Sequence, residues 1–275
     1  MKIIGLIVAV LTGGLLVYAS GDFPAWSDPA SPASTHLSPH FIEKTIEETS
    51  VPNIVTAVLA DYRGFDTMFE TTVIFSAGVA VFLLLRTSGP KTQQTRLYRH
   101  QLTGVTVRIK EGAELPPSDN FERIDRFWTP HDLIIKTVCR LLIPFIQLFG
   151  LYVIAHGHHS PGGGFQGGVI LGASIILLAI SHDLRTAVKR VAEKLDAVLC
   201  AIGVLIYAGT GALCLLLGLN FLDYKALAPV LHVDSIMARS HGILIVEIGV
   251  GVAVMFTMIW IYNNVSSGGK YNQGL

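Results

Sequence analysis

LIIKTVCRLLIPFIQLFGLYVIA, residues 133–155, places this chain in a membrane. A helix needs roughly 20 mostly apolar residues to cross about 30 Å of hydrocarbon, and this run supplies them. Five more runs of the same kind occur: Ile3–Ala19, Thr67–Leu85, Phe165–Ile180, Ala197–Leu217 and Gly242–Ile261. The run at Phe165 is the shortest and reaches full length only if the glycines before it join the helix. The expected class is an all-α membrane protein with about six transmembrane helices.

Composition agrees. Hydrophobic residues make up 51% and charged residues 15% of the chain, where a soluble domain carries about 25% charged residues. Net charge is zero, with 20 basic and 20 acidic residues, so nothing favours a nucleic-acid partner. The basic residues are unevenly spread. Arg86, Lys91, Arg96, Arg99, Arg108, Lys110, Arg123 and Arg126 lie between the second and third runs, and Arg185, Lys189, Arg190 and Lys194 between the fourth and fifth. The stretch after the first run holds only Lys44 and Arg63. By the positive-inside rule both termini and both basic stretches are cytoplasmic, in a multi-pass protein of the inner (cytoplasmic) membrane.

Lys2, the first apolar run and Val17-Tyr18-Ala19 also resemble a short signal peptide; the segment is read as a retained anchor. Cys139, Cys200 and Cys214 lack metal-ligand spacing and read as buried apolar thiols. Neither a metal nor a cofactor is expected.

Three units follow: a two-helix membrane module at 1–90, a polar cytoplasmic linker at 91–120, and a four-helix membrane module at 121–275. Within the first, Phe41–Thr49 is amphipathic with Glu43, Glu47 and Glu48. Val51–Ala60 is too short to span and reads as an interfacial or re-entrant helix. In the linker, Leu102–Leu115 alternates like a small hairpin.

Three constellations carry candidate chemistry. The first is HGHHSPGGGFQGG, residues 156–168. Pro161 ends the preceding helix, and Gly162 and Gly163 allow a sharp turn. Gly164, Gly168 and Gly172 share one helix face, the small-residue pattern of close membrane packing; they are expected to join spans three and four. His156, His158 and His159 either bind a metal, which would want further ligands at set geometry, or handle protons or sit at the wet interface. The second is Asp61-Tyr62-Arg63-Gly64-Phe65-Asp66-Thr67, followed by Glu70. Here Asp61 pairs with Arg63, Asp66 or Thr67 caps the next helix, and three acids at the mouth of a span gather cations. The third is Glu247, a carboxylate inside the last run, which has to face other helices, with partners from span three or another subunit. Gln147 and Lys136 are weaker cases. The glycine-rich run lacks the Lys-Ser/Thr of a phosphate-binding loop, and no catalytic constellation for bond-making chemistry is present, so the chain is not read as an enzyme.

Leu133–Ile180, with its HGHHSPGGGFQGG core, resembles the B subunit of Mrp-type multisubunit sodium/proton antiporters, the four-span match running from about Phe121 to Tyr262. The DYRGFDT segment with Glu70 resembles, over about Ile54–Arg86, the C-terminal piece of the Mrp A subunit. That piece is a separate small subunit in energy-converting membrane-bound hydrogenases. The resemblance implies an accessory subunit near a Na⁺ and H⁺ path, with other membrane subunits and lipid as its surroundings. Glu70 falls on the acidic position of the A-type motif, and His156, His158 and Gln166 fall in the B-type signature. It leaves a purely structural membrane-arm subunit open.

Overall fold

The computed structural model describes residues 2–87, 95–110, 120–123, 133–182 and 184–269. The elements run α1 (Lys2–Ser20), α2 (Ser38–Thr49), α3 (Ile54–Ala57), α4 (Gly64–Thr87), β1 (Thr95–His100), β2 (Thr106–Lys110), β3 (Phe121–Arg123), α5 (Leu133–Ala155), α6 (Gly164–Ser181), α7 (Leu184–Arg190), α8 (Glu193–Leu216), α9 (Ala228–Leu231) and α10 (Ser235–Ser267). Six of these, α1, α4, α5, α6, α8 and α10, are long and apolar enough to cross a membrane. They coincide with the six runs, and α6 does begin within the glycines.

α10 is the hub, with α8, α6 and α4 packed along it. Its 33 residues make a helix about 50 Å long at 1.5 Å per residue, more than the hydrocarbon requires. Asp234 caps its start by accepting from the amides of Ile236 and Met237, and Gly268 closes its end in the left-handed conformation. The core along α10 combines Ile243, Val246, Val250 and Val254 with Tyr207, Tyr224, Val51, Ala57 and Ala60. By contrast, α1 is exposed over its described length. An apolar helix with no protein around it needs lipid or another subunit as its solvent.

The small-residue face of α6 does not meet span three as expected. A Cβ at Gly168 would lie 2.6 Å from the carbonyl of Gly251, and one at Gly172 3.2 Å from that of Met255. Both are on α10. Span three reaches α6 through another pair: a Cβ at Gly167 would lie 2.9 Å from the carbonyl of Gly150. Residue 167 is about 100° around the helix from 168, so one helix serves two neighbours with adjacent glycines.

Much of the linker lies outside the described residues. What is described forms a three-stranded antiparallel sheet in the order β2-β1-β3. The hairpin therefore exists, but its partner strand precedes Leu102: Tyr98 pairs with Val107 and Leu97 with Arg108.

Candidate functional site

The short helix after α2 is held at both ends. Asn53 caps α3 by accepting from the Val55 amide. Its own side-chain amide donates to the carbonyls of Gly157 and Ser160, each at 2.8 Å. Its backbone amide donates to the carbonyl of His158 at 2.9 Å, and the Thr56 hydroxyl to that of Gly157. One asparagine thus fixes the glycine-rich turn before α6 to the start of α3.

Beyond α3 the chain makes one π-helical turn, Val58–Tyr62, and α4 starts at Gly64. The Tyr224 hydroxyl donates to the carbonyl of Ala60 at 2.8 Å, and that of Tyr207 to the carbonyl of Gly64 at 2.9 Å. The Tyr224 phenol satisfies a carbonyl at the end of the π-helical turn, and that of Tyr207 adds a second bond to the first carbonyl of α4.

The acids of this segment separate. Asp61 does not pair with Arg63; it accepts from Arg239 of α10 at 2.7 Å, with both side chains largely buried. The pair forms because α10 is long enough to carry Arg239 beyond its apolar part. Burial pushes the Asp61 carboxyl up, opposed by the Arg239 hydrogen bond and charge. Asp66 pairs instead with Arg63, at the surface. Neither Asp66 nor Thr67 caps α4, because the helix begins upstream of both; the Thr67 hydroxyl donates to the carbonyl of Leu59. Around Arg239, Tyr62 donates to Glu48 at 2.5 Å. That bond holds the Glu48 carboxyl below its ordinary range, and burial helps push the Tyr62 hydroxyl up to about 12.

Glu70 and Glu247 come together. A cavity of about 230 Å³ is lined by both, together with Thr56, Thr67, Gln166 and Tyr207. Glu70 is on the exposed side of this space, whereas Glu247 is 8% exposed. The Glu247 carboxylate lies at the start of α6, where a Cβ at Gly163 would lie 2.5 Å from its Oε1. An anion is favoured at a helix N-terminus. Its Oε2 is buried without a hydrogen-bond partner among the described residues. Glu247 faces other helices as expected, but its neighbour is span four rather than span three. Gln147 of span three bonds elsewhere, to Ser174 at 3.2 Å.

This placement explains the glycines. Gly162 and Gly163 have φ of 150° and 138°, which residues with a side chain rarely adopt. A Cβ at Gly157 would lie 2.9 Å from Oε2 of Glu247, and one at Gly164 would overlap the Glu247 carbonyl. The histidines stay outside the cavity. His156 stacks on Tyr152 with ring centroids 5.0 Å apart. His158 is partly buried near His159 and His241, and burial lowers its pKa. Arg239, Asn53 and the two tyrosines escaped the sequence reading. Only Asn53, a capping residue ahead of an apolar run, left a local signal.

The chain has relatives over both modules. Residues 134–260 match a family described as a domain related to the MnhB subunit of Na+/H+ antiporters, and residues 4–101 match the MbhE family, a subunit of MBH. A Staphylococcus epidermidis protein designated antiporter subunit mnhB2 is 31% identical over 134 residues, 46% of this chain and 94% of that protein. Its Staphylococcus aureus (strain Newman) counterpart is 34% identical over 137 residues, with the same coverage. Two solved structures share the fold at 24% identity. A chain of the membrane-bound sulfane sulfur reductase, an archaeal respiratory membrane complex, has a TM-score of 0.57, with 96% of this chain and 97% of that one covered. A chain of the Mrp complex from Dietzia sp. DQ12-45-1b has a TM-score of 0.52, with 94% of this chain but 26% of that one covered. The chain belongs to the MnhB-related family of multi-pass membrane subunits, preceded by a region related to MbhE.

Proposed function

We propose that this chain is an accessory subunit of a multisubunit cation/proton-translocating complex of the Mrp antiporter type, and that the cavity between Glu70 and Glu247 is a station on its ion path. One observation carries the reading: carboxylates from two modules line one cavity. In that space an ion moving past Glu70 meets a second carboxylate whose Oε2 has no described partner. A single charge exchanged there, H⁺ for Na⁺, keeps the site neutral in a low dielectric. On this reading the protein makes and breaks no covalent bond. The modules are 1–90 and 121–275, joined by the 91–120 linker, with basic stretches and both termini facing the cytoplasm across the inner membrane. Asp61, Asp66, His156 and His158 shape the surroundings of the path rather than bind the ion. Gly162, Gly164 and Gln166 line its wall.

The likeness to the sulfane sulfur reductase chain over nearly its whole length supports a second reading, a structural membrane-arm subunit of a hydrogenase-like or related redox complex that conducts nothing itself. Glu70→Ala, Glu247→Ala and Glu247→Gln in the whole complex decide between them, with sodium/proton exchange measured in inside-out vesicles and assembly followed on native gels. The station reading expects assembled complexes with transport reduced about tenfold or more. Full transport in Glu247→Gln, which retains shape but cannot ionise, supports the structural reading.

A further inference from the structure

A second buried carboxylate lies at the opposite end of the bundle. Asp196, in the first turn of α8, has no exposed surface. Its Oδ2 accepts one long hydrogen bond, 3.3 Å, from the side-chain amide of Asn263 on α10. Its Oδ1 is buried with no hydrogen-bond partner, and no ion pair reaches it among the described residues. On its own helix Lys194 lies two residues away without pairing with it, and Glu193, a turn earlier, adds a charge of its own sign. Asn263 is 1% exposed, and one turn deeper Cys200 and Thr257 bond to each other at 2.6 Å, both fully buried.

α8 and α10 run antiparallel, so this polar end faces away from Glu247. Sixteen residues of α10 separate Glu247 from Asn263, about 24 Å along the axis. Between them the helices touch backbone to backbone: a Cβ at Gly203 would lie 2.7 Å from the carbonyl of Gly249.

Removing an ionised carboxylate from water without a compensating charge or a full set of donors is strongly unfavourable. The position in the first turn of α8 explains why an acid is tolerated there. It does not explain an oxygen that faces no donor. We propose that Asp196 and Asn263 form a second ion-binding site, at the end of the bundle opposite Glu247, whose Oδ1 holds one monovalent positive charge, a proton or a sodium-sized cation. The inference rests on the reading of this chain as part of an ion-translocating complex and adds a station on the other side of the Gly203 contact. Each exchange releases one proton as one cation arrives, so charge balances.

The test uses the complete complex in inside-out vesicles. Asp196→Asn is expected to assemble and to lose sodium/proton exchange about tenfold or more, while Asp196→Glu keeps part of it. Asn263→Leu removes the hydrogen bond and leaves the acid. It is expected to assemble and to shift the half-saturating sodium concentration, whereas a mere helix fastener would lose assembly in both Asp196→Asn and Asn263→Leu. Wild-type exchange in assembled Asp196→Asn overturns the proposal. Loss at Asp196 with none at Glu247 or Glu70 sinks the cavity reading and leaves this site standing. If Asp196→Asn does not assemble, the wild-type complex is treated with dicyclohexylcarbodiimide and mapped by mass spectrometry. Modification of Asp196 that sodium suppresses indicates the cation; modification that only alkaline pH suppresses indicates the proton. Modification of Glu247 but never of Asp196 overturns the proposal.

Discussion

Glu247 lies against Gly164, the first residue of α6, so closely that a Cβ at 164 would overlap the Glu247 carbonyl. The Glu247 carboxylate sits at the same helix end, its Oε1 2.5 Å from where a Cβ at Gly163 would be. A side chain at 164 would push the acid off the helix end that stabilises it.

Gly164→Ala is therefore expected to reduce both assembly and transport. Overpacking a close contact costs about 1–3 kcal/mol, and here it also displaces the acid proposed for the ion path. Gly209→Ala, where a Cβ meets nothing within 4 Å, is the matched control and is expected to be neutral. Native-gel yield and exchange rate read both variants. Normal behaviour of Gly164→Ala removes the close-contact account.

Gly168→Leu is expected to impair assembly without changing ion selectivity, because the added side chain meets Gly251 of α10. A compensating loss of volume at Val254, also beside Gly168, is expected to recover part of the yield. Recovery from changes on α5 instead would show that the helix pair is wrong.

Asp61→Asn leaves the Arg239 guanidinium without its buried partner. Breaking such a pair from one side costs about 3–5 kcal/mol. The double variant Asp61→Asn/Arg239→Gln is expected to be less damaged than the two single losses added together. Thermal unfolding of the detergent-purified complex measures this cycle, and strict additivity would mean that the pair couples nothing.

His158 gives a pH dependence. Burial holds its pKa below the ordinary 6.5, so the unfolded chain takes up this proton before the folded one. Its contribution is intact above pH 6.5 and fades as pH falls below that value, by at most about 1.4 kcal/mol per pH unit. His158→Gln is expected to flatten the fall in melting temperature between pH 6.5 and 5. An unchanged acid limb assigns the effect to other groups.

A cysteine introduced at Val105 in a cysteine-free background is expected to react with membrane-impermeant maleimide only from the cytoplasmic side, following the distribution of basic residues. Labelling from outside intact cells reverses the assigned topology.

The six spans were legible because length and hydrophobicity are local. The solvation energy of a helix such as Leu133–Ala155 does not depend on its neighbours. Helix ends were less legible: α10 extends seven residues before Gly242, because Asp234 caps it and Asp61 pairs with Arg239 in the added turns. The burial of Glu247 among helices was legible for the same reason, since a carboxylate in an apolar run carries its cost wherever it packs.

Pairing was not legible. Asp61 lies two residues from Arg63 yet binds Arg239, 178 positions away, and nothing local distinguishes those two arginines. Nothing in the sequence around Asp196 marks it, because only the packing of α8 against α10 seals its Oδ1 from water without a donor. Hydrophobic run length decides, residue by residue, that this chain enters a membrane. Which buried acids share a cavity, find a cation or are left bare depends on the side chains that distant helices bring, and only the packed bundle contains that information.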